Sequence, residues 1–365
     1  MRAGTGTTSR RTALKYLGAG GATVTASALL AACTGVQEAQ NGGHAGPFPA
    51  TPGWRFVFVN HVTTNSFFVP TRTGLADAAA LLGVPEPQWT GSENGNVAQM
   101  ASAMETAITG KADGIAVALT DDNAFVDLTK RALGQGIPVI AYNANAAGNY
   151  PLTYVGQDLY LSGFRMGQRI GQKVTSGDIL VGISQPGGNN VQPRLDGITD
   201  ALKQSAPGVR VQSVNTGAEQ AGELNAMTAA YTGNTGVKGI YAVDAGSTAA
   251  CAKLIADRGL AGKIGGGGFD LLDDTVTGVK GGALDFTIDQ SPYLQGFLSV
   301  LYLYLFRLSG TLVAPPVTDT GLTFVTKENV GPYATARSRF EGGDNKDVIA
   351  MPGAIPLPPA SVLSR

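Results

Sequence analysis

Short apolar runs alternate with longer amphipathic segments along most of this 365-residue chain. Runs rich in β-branched and aromatic residues predict buried strands at 55–59, 114–119, 137–142, 179–183, 209–214, 239–243 and 284–288. Segments with apolar residues at helical spacing lie between them, at 69–82, 97–108, 123–133, 159–174, 195–205, 220–231 and 247–258. Strands separated by helices imply right-handed crossovers, so we predict an α/β fold with parallel sheets. The alternation restarts after about residue 157, which favours two similar sheets over one very wide sheet.

The segment 292–308 is the most apolar stretch after the first 33 residues. Gln295 and Gly296 interrupt it and Arg307 ends it, whereas a membrane span needs roughly 18 or more apolar residues. It therefore predicts a buried helix packed on one lobe. Residues 342–365 are rich in glycine, proline and serine and predict an irregular tail.

Residues 1–33 resemble an export signal and are set apart from the fold. Ser9-Arg10-Arg11 resembles a twin-arginine motif, and a weakly apolar span follows it. The span closes on Leu30-Ala31-Ala32-Cys33, which resembles a lipobox and implies lipidation of Cys33 after cleavage. The alternative is an uncleaved signal anchor with an incidental cysteine. Residues 34–53 have no periodicity and predict a flexible tether, so we expect an extracytoplasmic body anchored to the outer face of the cell membrane.

Charge and cysteine content exclude some classes of function. The net charge is -1, and the first 33 residues hold four basic residues and no acidic one, so the remainder is near -5. A nucleic-acid partner needs a basic face, which this balance does not provide. Two cysteines, one of them in the export signal, predict no disulfide framework. Two histidines, His44 in the tether and His61 in a loop, predict neither a histidine-rich metal site nor a Ser-His-Asp triad. His61 is close enough to Asn65 to line the mouth of a pocket, but a solvent position is the favoured interpretation.

A polar and aromatic loop follows the first predicted strand. It presents Asn65 and then Phe67 and Phe68 just before a helix, which places them at the carboxyl edge of a parallel sheet. Open α/β sheets bind ligands at that edge. An amide that gives directional hydrogen bonds beside a flat ring suits a sugar. The alternative is that the two phenylalanines are core residues at a helix start.

Six short motifs, in order, resemble the type I periplasmic sugar-binding proteins of the ribose-binding branch, which serve ABC importers. The resemblance covers about residues 54–330. The matching segments are Asn65-Ser66-Phe67-Phe68, the IPVIAYN run that ends at Asn143, the QPRLDG run that contains Arg194, the YAVD run that ends at Asp244, the GFD run that ends at Asp270, and the TIDQ run that ends at Gln290.

The resemblance implies two Rossmann-like lobes that close on a ligand. Their expected bounds are 54–157 plus 291–316 for the N-terminal lobe and 158–290 plus 317–341 for the C-terminal lobe, with crossings near 157, 290 and 317. It also implies a monomer without a cofactor that delivers a monosaccharide or sugar alcohol to permease subunits. The residues that would bind the sugar are Asn65, Phe67, Phe68, Asn143, Arg194, Asp244, Asp270 and Gln290.

Three positions depart from the ribose-binding pattern. Asn143-Ala144 stands where an Asp-Arg pair is usual, Ala218 stands where an aromatic residue is expected, and Asp244 stands where Asn is usual. The pocket is therefore not expected to be that of a plain ribose binder, and another pentose, a hexose or a linear polyol remains open.

Each polar candidate also has a structural interpretation. Arg194 can be a salt-bridge partner on a helix face, Asp244 or Asp270 a helix N-cap, and Gln290 a polar surface residue. Asn189 and Asn190 flank the arginine loop and are marginal candidates. A quartet of glycines at 265–268 lacks the ending of a phosphate loop and predicts a tight strand.

Two other functions compete with the binding protein. A secreted lipid-anchored enzyme, either an oxidoreductase or a carbohydrate-active hydrolase, would suit the export signal, but the body has no dinucleotide fingerprint and no evident acid/base carboxylate pair. A transcription regulator with the same lobes would need a helix-turn-helix segment ahead of them, which the sequence lacks.

Overall fold

A computed structural model describes residues 51–311 and 314–334 of the chain. The predicted export signal, Cys33, most of the tether and the tail 342–365 lie outside the described residues. Those expectations stay predictions.

Two six-stranded sheets organise the described residues. The strands are β1 (Phe56–Asn60), β2 (Gln88–Gly91), β3 (Gly114–Val117), β4 (Val139–Tyr142), β5 (Tyr154–Gly156), β6 (Ser176–Ile183), β7 (Gly208–Asn215), β8 (Gly239–Ala242), β9 (Gly265–Phe269), β10 (Phe286–Asp289), β11 (Val317–Asp319) and β12 (Thr323–Val325). The first sheet has the order β11-β5-β4-β3-β1-β2, and its strand pairs are all parallel. The second sheet has the order β12-β10-β9-β8-β6-β7, and only β12 runs antiparallel to its neighbour. The predicted α/β fold with two parallel sheets is confirmed.

Helices connect the strands of both sheets. They are α1 (Val69–Leu82), α2 (Val97–Thr109), α3 (Val126–Gly134), α4 (Leu159–Lys173), α5 (Gln192–Ser205), α6 (Gln220–Gly233), α7 (Ala245–Asp257), α8 (Asp273–Gly281) and α9 (Pro292–Ser309). All except α8 lie close to the predicted segments. The sequence pattern missed α8 because its nine residues include two glycines and little apolar periodicity.

The chain crosses between the sheets three times. It leaves the first sheet after β5, returns between β10 and α9, and crosses again before β12. The last crossing was predicted near residue 317, and this position is wrong by a few residues. β11 pairs in parallel with β5 of the first sheet, so the chain stays in that sheet as far as Asp319. Short polar strands such as β11 give too few alternating positions to be predicted from the sequence.

The three crossing segments are joined by hydrogen bonds. Gln157 donates through Nε2 to the carbonyl oxygen of Gly321 at 2.9 Å. Thr320 donates through Oγ1 to the carbonyl oxygen of Gln290 at 2.7 Å, and Gln295 donates to the same hydroxyl at 3.4 Å. Each crossing strand is therefore tied to at least one of the others.

Helix α9 completes the core of the first lobe. Val300, Leu303 and Tyr304 lie in the same buried cluster as the residues of β1, β3 and β4. A Cβ atom on Gly296 would lie 2.1 Å from the carbonyl oxygen of Thr71, so glycine allows α9 to approach α1 closely. Over the described residues no helix has the length and apolar character needed to cross a membrane. The prediction that this apolar segment is a buried helix is confirmed.

The glycine quartet forms β9, as predicted. Side chains from neighbouring elements occupy the space above it. A Cβ atom on Gly265 would lie 2.0 Å from the hydroxyl of Tyr241, and one on Gly267 would lie 2.6 Å from the ring of Phe286. Glycine is thus required because aromatic rings lie directly against this strand.

Candidate ligand site

The loops at the carboxyl ends of both sheets surround one cavity that is partly open to solvent. This is the edge at which open parallel sheets bind ligands. All eight residues predicted to bind the sugar line this cavity: Asn65, Phe67, Phe68, Asn143, Arg194, Asp244, Asp270 and Gln290. The structure thus brings together residues that are up to 225 positions apart in sequence, the separation between Asn65 and Gln290. Their role as sugar ligands stays a prediction.

The aromatic wall comes from the loop after β1. Asn65 caps a short 3₁₀ turn, and its Oδ1 accepts a hydrogen bond from the backbone N–H of Phe67 at 2.9 Å. Its Nδ2 amide hydrogens are left for the cavity. Phe68 is 2% exposed and belongs to the core of the first lobe, whereas Phe67 is only partly buried. The core interpretation therefore holds for Phe68, although that ring also lines the cavity.

His61 is buried against the cavity, so the expected solvent position is wrong. Its ring is 8% exposed and packs edge-on against Phe68, with 5.4 Å between ring centroids. Its Nε2 lies 3.3 Å from Nδ2 of Asn190, which belongs to the other lobe. Burial lowers the pKa of His61 to about 4, so the ring is neutral at pH 7. The neutral ring can accept the Asn190 amide hydrogen, and this contact joins the two sides of the cavity.

Arg194 lies in the first turn of α5 and is 3% exposed. It forms no salt bridge with the described residues, so the interpretation as a salt-bridge partner on a helix face is wrong. Its Nη1 donates to the carbonyl oxygen of Val243 at 3.0 Å, and its Nη2 donates to Oε1 of Gln157 at 3.1 Å. The guanidinium carbon lies 4.0 Å from the ring centroid of Phe269. Within the described part of the chain Nε has no hydrogen-bond partner, which leaves a buried donor at the cavity wall.

Asp270 follows β9 directly and has a left-handed backbone conformation with φ of 71°. Its Oδ1 accepts a hydrogen bond from Nε2 of Gln290 at 2.6 Å. Desolvation raises the pKa of Asp270 to about 6, although the nearby Arg194 charge and the Gln290 bond oppose that rise. Asp270 does not cap α8, whose N-cap is Leu272, so the capping interpretation is wrong.

Asp244 both caps a helix and lines the cavity. Its Oδ1 accepts the backbone N–H of Ser247 in α7, and its Oδ2 accepts the backbone N–H of Ser184 after β6, each at 2.9 Å. The capping interpretation is confirmed, and it does not compete with the cavity position. Each carboxylate oxygen keeps a lone pair that can accept a further hydrogen bond.

A chain of side-chain amides runs along the base of the cavity. Nδ2 of Asn143 donates to Oε1 of Gln295 at 3.2 Å, and Nε2 of Gln295 donates to Oε1 of Gln290 at 3.0 Å. Gln290 then donates to Asp270, so the chain links the first lobe to the second. Gln290 is 2% exposed, and its interpretation as polar surface is wrong. Gln295 is a residue that the sequence reasoning missed, because it looked like an interruption of an apolar helix.

Glu223 and Asn190 complete the wall, although Glu223 was not predicted and Asn190 was only a marginal candidate. Glu223 lies one turn into α6 and is 3% exposed. Its carboxyl is within hydrogen-bonding reach of Asp244, and burial together with that neighbour raises the pKa of Glu223 to about 8. A single acidic residue in a predicted helix gives no signal of this position. The one signal in the sequence was Ala218, which lines the cavity and stands where an aromatic residue is expected.

The arrangement offers acceptors, donors and one aromatic face to a small polyhydroxylated molecule. No group of three or more histidine, cysteine or acidic residues in the described ranges could hold a metal ion. Three buried carboxyls face one guanidinium, so an additional negative charge in the cavity would be unfavourable. The site therefore suits a neutral ligand.

A family model for the periplasmic binding protein domain matches residues 56–306. The chain belongs to this family. Its sequence is 44% identical to the xylose/arabinose-binding protein XylF of Sulfolobus acidocaldarius over 325 residues, which cover 85% of this chain and 80% of the relative.

Solved structures of periplasmic binding proteins share the fold. An ABC transporter solute-binding protein from Burkholderia graminis in complex with D-arabinose is 25% identical, with a TM-score of 0.72 over 79% of this chain and 100% of that one. A second, from Agrobacterium vitis with bound D-fucose, is 26% identical, with a TM-score of 0.70 over 77% of this chain and 98% of that one. The family implies an extracytoplasmic location. The enzyme alternative has no support among these relatives, which are binding proteins of transport systems.

Proposed function

We propose that this periplasmic binding protein captures a neutral monosaccharide or sugar alcohol and delivers it to an ABC importer. The observation that carries the proposal is the convergence of an aromatic face, amides, a guanidinium and carboxyls on one cavity between two lobes. The 44% identity to a xylose/arabinose-binding protein supports pentoses as the first ligands to examine.

In the proposed complex an aromatic ring contacts the C–H groups of the sugar, and polar side chains bind its hydroxyls. The face of Phe67 stacks on the C–H groups of the sugar. The free Nδ2 of Asn65 and the unpartnered Nε of Arg194 donate to hydroxyl oxygens, and Asp270 accepts hydroxyl hydrogens. A buried group left unpaired by a sugar that lacks one hydroxyl costs about 1–3 kcal/mol, so such a site selects stereochemistry.

Ligand binding is proposed to favour the closed arrangement of the lobes, whose division follows the bounds above with the third crossing after Asp319. In the closed arrangement the two lobes also form hydrogen bonds directly with each other. Asn189 donates through Nδ2 to Oδ1 of Asp122 at 2.8 Å and through its backbone N–H to the carbonyl of Thr120 at 3.0 Å. A sugar adds contacts that exist only when both lobes surround it, and the permease then recognises the closed shape.

The finer location is also a proposal. The lipobox at 30–33 supports a lipid anchor on Cys33, which would hold a monomeric body at the outer face of the membrane.

A thermal-shift screen tests the proposed function. D-xylose, L-arabinose, D-arabinose, D-fucose and myo-inositol are each added at about 1 mM, with maltose at the same concentration as the control for nonspecific stabilisation. A ligand that binds only the folded state raises the Tm. At a hundredfold excess over Kd it adds about 2.7 kcal/mol to the free energy of unfolding. A flat response to all neutral sugars and polyols would reject the proposal.

A further inference from the structure

Glu223 reaches the cavity over a glycine that makes room for it. The glycine is Gly246, the second residue of α7. A Cβ atom on Gly246 would lie 1.9 Å from Oε2 of Glu223 and 2.4 Å from Oε1, so any other residue would displace the carboxyl. The absence of a side chain at Gly246 therefore leaves room for the Glu223 carboxyl at the cavity wall.

The partner of this carboxyl is another carboxyl. Asp244 already accepts two backbone N–H bonds, one on each oxygen, and these bonds stabilise its ionised form. Two carboxylates within hydrogen-bonding reach cannot both be ionised without strong repulsion. The proton therefore stays on Glu223 and is donated to Asp244, which agrees with the raised pKa of about 8 for Glu223.

The charged surroundings of the pair leave this assignment unchanged. Burial raises the pKa of Asp244, but its hydrogen bonds to Ser247 and Ser184 and the charge of Arg194 on α5 oppose that rise and favour its ionised form. Asp270, directly after β9, adds negative charge, and Cys251 of α7 is a buried thiol whose pKa is raised by burial.

More distant groups do not change the charge of the pair. His61, across the cavity, is neutral at pH 7. On β6 and β7, the Asp178–Arg210 ion pair lies near the opposite ends of the strands.

Ala218 explains why Glu223 meets the ligand space. Both residues line the cavity, and alanine stands where the resemblance to the ribose-binding branch predicts an aromatic ring. A ring there would cover part of the wall with a flat apolar face. With alanine, the carboxyl edge of Glu223 is presented instead, and it can accept a hydrogen bond from a hydroxyl.

We propose that Glu223 is a ligand-contacting and specificity-determining residue. It shares one proton with Asp244 and accepts a hydrogen bond from a hydroxyl of the bound sugar. This inference rests on the proposed sugar-binding function. The shared proton is kept on binding, because closure around a sugar removes water from the pair and makes a second negative charge less favourable. Loss of the proton would drive Glu223 away from Asp244 and into the ligand space.

Calorimetric titration of D-xylose and L-arabinose between pH 7 and 9.5 tests the inference. The wild-type affinity should fall by up to tenfold per pH unit above about pH 8. Glu223→Gln should flatten this fall, since the Gln amide can donate to Asp244 and does not titrate. Glu86→Gln, which changes an exposed acid in the loop between α1 and β2, should keep the wild-type profile. A wild-type affinity that is the same at pH 7 and 9.5 overturns the inference.

Urea unfolding of the ligand-free protein supplies a readout that does not depend on sugar. The folded-state pKa of Glu223 lies above its unfolded value of about 4.5, so its contribution to stability is complete below that value and is lost as the pH rises through about 8. Between about pH 4.5 and pH 8, the unfolding constant of the wild type should therefore rise by up to tenfold per pH unit relative to that of Glu223→Gln. Parallel profiles overturn the shared proton. If no sugar binds the wild type while these profiles differ, the proposed function fails and the proton-sharing pair stands.

Discussion

Asp270 and Gln290 share a hydrogen bond of 2.6 Å, with Nε2 of Gln290 as donor and Oδ1 of Asp270 as acceptor. The two residues end adjacent strands, β9 and β10, and both are buried. The bond therefore places a carboxylate from the second lobe against the segment where the chain returns to the first. This pair connects the proposed ligand site to the crossing strands.

Ionisation of Asp270 should limit sugar binding in acid. Because the pKa of this carboxyl is raised to about 6, the affinity should fall by up to tenfold per pH unit below pH 6, as the acceptor of hydroxyl hydrogens is lost. Asp270→Asn should lower the affinity at pH 7 and abolish the acid dependence, whereas Asp274→Asn, an exposed acid in α8, should change neither. Titration calorimetry from pH 4.5 to 7.5 gives both values. An acid limb that persists in Asp270→Asn would assign the dependence to another group.

The ligand-free protein should show the opposite trend. The folded pKa of Asp270 exceeds its unfolded value of 3.8, so its contribution to stability is complete below 3.8 and is lost as the pH rises through about 6. The slope of the unfolding free energy with pH between 4 and 6 should be reduced in Asp270→Asn. Equal slopes in urea titrations of the two proteins would contradict this.

Replacement of Arg194 by lysine should weaken sugar binding by about 10- to 100-fold. Lysine keeps the charge but cannot donate to Val243, to Gln157 and into the cavity at once, and a lost bond to a charged donor is worth about 1.5–3 kcal/mol. Arg169→Lys is the matched control, because Arg169 stacks on Phe286 and Phe324 and does not line the cavity. Calorimetry on both variants provides the comparison. Equal affinities for the two variants would remove Arg194 from the site.

Gln295 should contribute to stability through the amide chain. Gln295→Leu leaves Nδ2 of Asn143 and Oε1 of Gln290 without this partner, and each unsatisfied buried group costs about 1–3 kcal/mol. We expect a loss of about 2–5 kcal/mol in the free energy of urea unfolding. Gln172→Leu, at an exposed position of α4, should stay within about 0.5 kcal/mol. A loss no larger in Gln295→Leu would mean that water or a side-chain shift replaces the chain.

Cys33→Ser tests the proposed anchor. A serine cannot carry the thioether-linked lipid, so the variant should appear in the soluble extracytoplasmic fraction while the wild type stays with the membrane. Membrane fractionation followed by immunodetection measures the distribution. The sugar-dependent thermal shift should be the same in both proteins, since position 33 lies ahead of the family match at 56–306. A variant that stays with the membrane would contradict lipidation at this cysteine.

The sequence predicted the two sheets because long, apolar strands and helices repeat in a regular order. It missed β2, β5, β11 and β12, because these strands of three or four residues do not lie within a longer apolar run like those that marked β3, β4, β8 and β10. The eight cavity residues could be named because the short motifs that contain them resemble those of the type I periplasmic sugar-binding proteins, and most of these motifs follow a strand end. Gln295 and Glu223 could not, because burial of a polar residue inside a helix depends on which neighbours face it. His61 was misplaced for the same reason: its partner Asn190 is 129 positions away.

Hydrogen bonds between the crossing segments at Gln157, Gln290 and Thr320 make the connection between the lobes a single braced unit rather than three independent tethers. Such a connection limits the independent movement of the three segments. Little chain entropy then has to be lost when a ligand arrives, and more of the contact energy appears as affinity. Loosening the brace with substitutions that touch no ligand should therefore weaken capture as effectively as damage to the cavity itself.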